Sequence, residues 1–386
     1  MNALELVDDM VFEPLDFELP RELEASEPPE ARGLARDEVR MMVSNSDGRI
    51  EHRSFRDLPG LLSPGDLVVI NTSGTMNAAI SAERGDGTPT ELRLSTKLPA
   101  GLWTVELRRK FEGDTEPFFG AESGEEISLA GGGKATLLAP YAGIERGVRL
   151  WVASLELPAT LDEYLGHHGE PIRYGYVKEG WPIHYYQTVY ATEAGSAEMP
   201  SAGRAFTPEL ITRLVAKGVH VAPLVLHTGV ASLEDDEPPY EEYFRVPQET
   251  ARLVNSARDA GKRVLAVGTT VARAMESVAD ESGTIHPGEG WTDVVITPER
   301  GIWAVEAMLT GLHEPRSSHL SMLEAMASRD TLEAAYREAL REGYLWHEFG
   351  DLHLLKASGD RHRVSGNASA MLGDESEAAP FVESVP

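Results

Sequence analysis

Apolar and polar positions along this chain follow two different periods, and the change between them divides it. Near the start, Val39 to Ser44 and Ile50 to Phe55 read as short alternating strands joined by the turn Asn45-Ser46-Asp47-Gly48. Leu67 to Asn71, an apolar run after the turn Pro64-Gly65-Asp66, predicts a further strand. From about residue 75 to 155 only strand and turn signals occur: Thr90 to Ser95, Trp103 to Arg108, Glu126 to Leu129, Lys134 to Leu138 and Val148 to Ser154, separated by Gly, Pro and Asp clusters. Short strands at that spacing predict a small barrel or sandwich. The run Gly131-Gly132-Gly133 before Lys134 lacks the Ser or Thr of a phosphate loop and reads as a hairpin turn.

From about residue 156 the period changes to helix and strand in alternation. Pro208 to Lys217 predicts a helix with Thr207 as N-cap, Pro208 at its first position and Gly218 at its end. Val219 to Leu226 follows as an apolar strand, then Pro247 to Ala260 as a helix ending at Gly261, and Val264 to Val267 as a buried strand. Gly268-Thr269-Thr270 reads as a turn, Val271 to Val278 as the start of a helix, and Asp330 to Glu342 as an amphipathic helix. The fold class expected is α/β: a helix-strand alternating main domain, on a mainly parallel or mixed sheet or a partial barrel, with an inserted small all-β barrel-like domain. The boundaries are 1–74 and 156–356 for the main domain and 75–155 for the insert. Residues 357–386, rich in Ser, Gly, Ala, Glu and Pro and without periodicity, predict a disordered tail.

Composition narrows the chemistry. A chain of 386 residues with 41% hydrophobic positions has enough apolar material for two soluble domains. No stretch reaches the roughly 18 apolar residues of a membrane span, and MNALELVDDMVFEP lacks the basic-then-apolar order of a signal peptide, so a cytoplasmic, membrane-free protein is expected. With no cysteine, disulfides, thiolate nucleophiles and thiolate metal sites are excluded. The 12 histidines form no HExxH pattern and the adjacent His167 and His168 cannot face one side of a regular element, so no catalytic metal is expected. The net charge of −28 opposes nonspecific nucleic-acid binding. Lys97, Arg108, Arg109 and Lys110 come nearest to a basic cluster, either a local basic face or a solvated strand end.

Three segments of the second half carry residues that chemistry can use: YQTVYATEAGSAEMPSAGRAFT (Tyr186 to Thr207), RVLAVGTTVARAMES (Arg263 to Ser277) and AMLTGLHEPRSSHLSML (Ala307 to Leu323). In the middle one a strand, a glycine turn and a helix start leave free backbone donors beside two hydroxyls, an arrangement that suits an anionic or polar ligand group. Together with PGDLVVIN, FELPRELEASEPPEARG near the start and YLWHEFGDLHLL near the end, these segments resemble the S-adenosylmethionine:tRNA ribosyltransferase-isomerase family of queuosine biosynthesis, in order and across almost the whole chain.

The resemblance implies an enzyme that moves the ribosyl part of S-adenosylmethionine onto a 7-aminomethyl-7-deazaguanine base in tRNA, giving epoxyqueuosine-tRNA and releasing adenine and methionine; a monomer is expected. Its partners are then S-adenosylmethionine, as substrate and not as a resident cofactor, and tRNA. Such chemistry needs a base near the carbon beside the sulfonium, help for the departing adenine, and a site that tolerates a cation. Candidate acids and bases are His227, Glu242, Asp293 and His313. His227 ends its strand before Thr228-Gly229, as in the family's HxG motif; it serves either as an acid-base group or as a partly buried ring capping carbonyls. The resemblance places His227, Glu242 and His313 as catalytic and Asn71, Pro200, Gly203, Arg204, Phe206, Thr207, Gly229, Thr269, Thr270, Arg273, Ser317 and Ser318 as substrate contacts.

The chain also departs from the family's pattern. Asn71-Thr72-Ser73-Gly74-Thr75 stands where the family has Asn-Asp-Thr-Arg, Arg204-Ala205 replaces Leu-His, Tyr240-Glu241 replaces a His and a Ser, and Gly311, Leu312 and Glu314 replace neighbours of His313, an aromatic among them. Arg204 either favours an anionic ligand or points to solvent, and Arg273 either meets ligand or pairs with Glu276 on a helix surface. Trp291, Tyr186 or Phe206 is then left to stack adenine. A diverged S-adenosylmethionine-binding relative with a small-molecule acceptor, and a non-catalytic binding protein, remain alternatives at this point.

Overall fold

The computed structural model describes residues 15–111, 114–141, 147–230 and 240–356; the tail expected at 357–386 lies outside the described residues. A nine-stranded sheet runs in the order Gly288–Thr292, Glu242–Val246, His220–Leu226, Leu67–Asn71, Val264–Val267, Ala307–Gly311, Leu352–Lys356, Arg40–Ser44, Ile50–Ser54. Its four central members, from His220–Leu226 to Ala307–Gly311, are parallel. Both edges add antiparallel pairs, so the sheet is mixed and not mainly parallel, as alternation alone suggested. Strands without a helical crossover between them, such as Arg40–Ser44 and Ile50–Ser54, return by a hairpin and must run antiparallel.

The central strands read as unbroken apolar runs because both faces are covered. Alternate side chains go to opposite cores. Leu67 and Val69 pack with Val254 and Met275 from the helices Gln248–Asp259 and Thr269–Glu276, while Val68 and Ile70 pack with Leu210 and Leu214 from the helix Pro208–Ala216. Thr207 caps that last helix by accepting from Leu210 N at 3.1 Å.

Between Leu67–Asn71 and the rest of the main sheet the chain builds a closed antiparallel barrel of six strands, Ala79–Arg84, Pro89–Lys97, Trp103–Phe111, Glu126–Leu129, Gly133–Pro140 and Leu150–Glu156. Its interior is apolar, with Ile80, Leu92, Leu94, Val105, Leu107, Ile127 and Leu137 all buried. Ala79–Arg84 carries no strand signal in AISAER; its place comes from pairing with neighbours on both sides. The glycine run before Lys134 is a hairpin turn with positive φ at Gly131 and Gly132.

Barrel and sheet are joined where Leu67–Asn71 ends. The buried Asn71 side chain accepts from Ser73 N and Leu226 N, each at 3.0 Å, and donates to Leu226 O at 2.8 Å. It completes a strand ladder with a side chain and lets the next residues turn away into the short parallel ribbon Ser73–Thr75 with Glu193–Ser196. Replacing Asn71 by Ala is expected to lower the free energy of unfolding in urea at pH 7 by about 3 kcal/mol, because buried donors and an acceptor are left unpaired. A loss below about 1 kcal/mol, the worth of one ordinary hydrogen bond, would remove this role.

Candidate active site

A cleft of about 1000 Å³ opens outside the carboxyl ends of the four parallel strands. Its floor is made of the segments that leave those strand ends: Thr75, Thr228 to Val230, Gly268 to Thr270, and Thr310 to Ser318. That is where α/β sheets place ligands, since the strand ends diverge and the helix starts supply free N–H groups. The opposite wall is Pro171 to Tyr176 and Ala197 to Ala202, with Arg108 and Thr115 from the barrel.

Of the residues singled out in the sequence, the structure brings Pro200, Gly229, Glu242, Thr269, Thr270, Arg273, His313, Ser317 and Ser318 to this cleft. Glu242 accepts from Gly229 N at 2.9 Å and forms an ion pair with Arg273. Arg273 also donates to Val294 O at 3.1 Å and Thr292 O at 3.2 Å, so a carboxylate and a guanidinium are fixed side by side in the wall. The expected surface pair of Arg273 with Glu276 is absent, because the buried Glu276 binds Arg300 and the backbone N–H groups of Trp303 and Ala304. The helix begins at Thr269, two residues earlier than expected, after Gly268 at φ 91°.

His313 bonds Thr310 Oγ1 at 2.6 Å through Nε2 and stacks on His319, ring centroids 4.6 Å apart. Burial holds the His313 imidazole well below its usual range and the neighbouring His319 down to about 4, so both rings are neutral near pH 7. The Ser317 hydroxyl is buried without a hydrogen-bond partner among the described residues.

Six expected site residues do not line the cleft. Asn71 is spent on the strand lock described above. His227 takes part in a buried polar chain, its Nδ1 2.7 Å from Ser73 Oγ, which in turn lies 2.6 Å from Ser196 Oγ. The absence of a Cβ at Gly195 makes room for the His227 ring, and burial lowers its basicity. Gly203 is where the Tyr190 hydroxyl approaches the backbone. Arg204 meets neither solvent nor the cleft: it is buried, paired with Glu30 Oε2 at 2.7 Å and bonded to Tyr185 O at 2.8 Å. Phe206 packs edge-on against Phe55 in the core, and Thr207 is the helix cap. Among the three aromatics considered for stacking, Tyr186 alone lines the cleft.

The cleft also contains groups that were not singled out as site residues. Tyr174, Tyr176 and His347 form a column of near-parallel rings, with centroid steps of 5.8 and 4.0 Å. Tyr174 donates to Glu198, and Tyr176 to Glu348 Oε2 at 2.5 Å. His347, at φ 72°, is lowered to about 4 by burial, and Glu348 is pushed up to about 7, again by burial. The paired aromatics of Tyr174-Gly175-Tyr176 and the His-Glu step of YLWHEFG were the available signals, too short to be read without their fold.

The expected basic cluster is also reshaped. Arg108 is buried against Glu106, while Lys97, Arg109 and Lys110 are exposed and Arg109 pairs with Glu116, so the solvated strand end is the alternative these three residues fit. Among the described residues no group of His, Asp or Glu could hold a metal ion, and no helix is long and apolar enough to cross a membrane.

The chain matches the profile of the family described as Queuosine biosynthesis protein over residues 12–355. It is 36% identical over 359 residues to an S-adenosylmethionine:tRNA ribosyltransferase-isomerase of Desulfitobacterium hafniense, covering 90% of this chain and all of the relative. A relative of the same name from Symbiobacterium thermophilum is 37% identical, covering 88% and 98%. A solved S-adenosylmethionine tRNA ribosyltransferase from Thermotoga maritima is 30% identical, with a TM-score of 0.48, covering 88% of this chain and 99% of that one.

The neutral imidazoles set a pH dependence. His319, His347 and the buried His353 stay unprotonated down to about 4 in the native state, whereas in the unfolded chain they take up protons near 6.5. The unfolded state therefore binds more protons across that window, and stability falls as pH drops from about 6.5 to about 4. Glu348 works in the opposite sense, losing stability as pH rises towards 7, and Glu24 and Glu324, which burial also raises, act with it. Unfolding free energies in urea between pH 7 and 4.5 should fall accordingly. His347→Asn, which keeps a residue suited to positive φ, should flatten that slope; an unchanged slope would contradict the burial of a neutral ring.

Proposed function

We propose that this chain, which belongs to the Queuosine biosynthesis protein family, transfers and isomerises the ribosyl moiety of S-adenosylmethionine onto 7-aminomethyl-7-deazaguanine in tRNA. Adenine and methionine are released and epoxyqueuosine-tRNA is formed. The observation that supports this reading best is the composition of the cleft: carboxylates on both walls, phenolic and neutral imidazole rings between them, and hydroxyls with helix-start N–H groups on the floor.

A sulfonium substrate needs such surroundings. Glu198 and Glu242 and the tyrosine column offer negative potential and π faces to a cation. Thr269 and Thr270, at the start of a helix, offer donors to the carboxylate of the methionine part. Glu242, fixed by Arg273 and Gly229 N–H, is preorganised as an acceptor of substrate donors and needs no rearrangement on binding. His313 serves as a neutral hydrogen-bonding group and not as a cation. The base loop of tRNA enters from the open side of the cleft, and with a net charge of −28 its recognition rests on the modified base more than on phosphates.

Incubation of the protein with S-adenosylmethionine, with and without tRNA carrying the aminomethyl-deazaguanine base, is expected to release adenine and methionine only with that tRNA. Release with no tRNA, or none in either mixture, would overturn the reading. Glu242→Gln is expected to slow release about 10- to 100-fold, the worth of one charged hydrogen bond. His227→Ala should lower stability by about 1–2 kcal/mol through the broken polar chain yet retain turnover.

A further inference from the structure

Resting on that reading, we propose that Glu348 is the catalytic acid that donates a proton to the departing adenine. Leaving groups bound through a ring nitrogen depart more readily when protonated as the bond breaks, so the site needs a group that both holds a proton and can give it up near neutral pH. The imidazoles of the cleft do not meet that need: His313, His319 and His347 are neutral at pH 7 and keep no surplus proton. The phenols of Tyr174 and Tyr176 are raised well above their ordinary range and hold theirs too firmly. Glu242 is committed to Arg273.

Glu348 sits differently. It lines the cleft, its Oε2 takes one hydrogen bond from Tyr176 at 2.5 Å, and the groups that face it are Tyr176, Tyr186, Glu198 and Glu314. Burial moves it up to about 7, and the carboxyl groups of Glu198 and Glu314 act in the same direction, so a proton on Glu348 is favoured. His347 adopts φ 72°, in the left-handed region where Asn, Asp and His are the favoured residues after Gly, and its ring stacks on the same Tyr176 that bonds Glu348.

In the step, the bond between adenine and the ribosyl carbon breaks and its electron pair stays with adenine. The proton of the Glu348 carboxyl passes to the adenine ring nitrogen, adenine leaves neutral, and Glu348 remains as carboxylate. The ribosyl carbon is stabilised by a lone pair of the ring oxygen, and solvent returns the proton to Glu348 before the next turnover.

Single-turnover adenine release, measured from pH 5.5 to 8.5 with saturating tRNA substrate, tests the assignment. The wild-type rate is expected to fall as pH rises through about 7, and Glu348→Gln to lose about 100-fold or more and with it that dependence. Tyr176→Phe removes a bond that favours the carboxylate, so its falling limb should move to higher pH, a displacement that a merely structural role would not give. If Glu348→Gln does not fold, the Tyr176→Phe profile decides. Adenine release by the wild type with coincident limbs in wild type and Tyr176→Phe, or an undiminished rate in Glu348→Gln, overturns the acid role alone. No release by the wild type at any pH overturns the functional reading and this role with it.

Discussion

Everything downstream in this molecule depends on how two parallel strands part. Leu67–Asn71 and His220–Leu226 run side by side until the Asn71 side chain takes over the ladder with Leu226 N and O. From that point one chain leaves for the barrel and the other turns through His227 and Thr228 toward Gly229. A side chain can close a ladder that the backbone has abandoned, because it presents one acceptor and one donor as a peptide does. Asn71 also reaches Thr270 Oγ1 at 3.4 Å, so the lock that separates barrel from sheet touches the floor of the cleft it creates. A cleft of this size between two independent cores needs such a fixed hinge line, since neither core by itself dictates where the other sits.

The segments bounding the cleft are held by ion pairs taken out of water. Arg204 with Glu30, Arg300 with Glu276, and Arg108 and Arg149 on either side of Glu106 are all largely buried. Pairs of this kind add little net stability, yet losing one partner strands a buried charge, so they penalise alternative placements of the loops. The strongly acidic balance of the sequence is thus partly internal: many arginines are consumed by structural partners. The cleft lining carries six glutamates against six arginine and lysine side chains, and burial raises Glu348 among the glutamates.

Much of the fold was legible because it rests on local pattern. Leu67–Asn71, Glu126–Leu129 and Val264–Val267 are unbroken or alternating apolar runs bounded by turn residues, and the helix after Thr207 has both its cap and its proline. The strands that escaped, Ala79–Arg84 and Glu242–Val246 among them, hold their places through partners distant in sequence. The lining of the cleft was legible where residues follow strand ends, as with Thr269 and Thr270 at a helix start and His313 in a loop, and illegible where a polar residue is used to satisfy the chain itself. His227 and Arg204 have the chemistry of ligand contacts, but the first closes a hydroxyl chain and the second a buried ion pair. Glu348 was missed for the converse reason. A lone glutamate carries no signal until Tyr176, Glu198 and Glu314 are brought around it, from 172, 150 and 34 positions away in sequence respectively.

The same distinction explains why departures from the family's pattern leave its chemistry in place. At most of the changed positions the residue found here answers to the chain and not to the cleft. Thr72 bonds Leu224 O at 3.1 Å, Gly74 packs between Ala191 and Ala194 in the parallel ribbon, and Arg204 and Ala205 are buried on the far side of the segment that brings Pro200 to the wall. Tyr240 does line the cleft, but its hydroxyl faces Arg149 at 3.4 Å, so it substitutes for a histidine as a partner of the barrel. The changes at Thr75 and around His313 are the ones that alter the site itself. Gly311, Leu312 and Glu314 all line it, and Glu314 adds a carboxyl facing Glu348. A second carboxyl group there makes Glu348 hold its proton more firmly, so this change helps keep protonated near neutral pH the group on which the departure of adenine is proposed to depend.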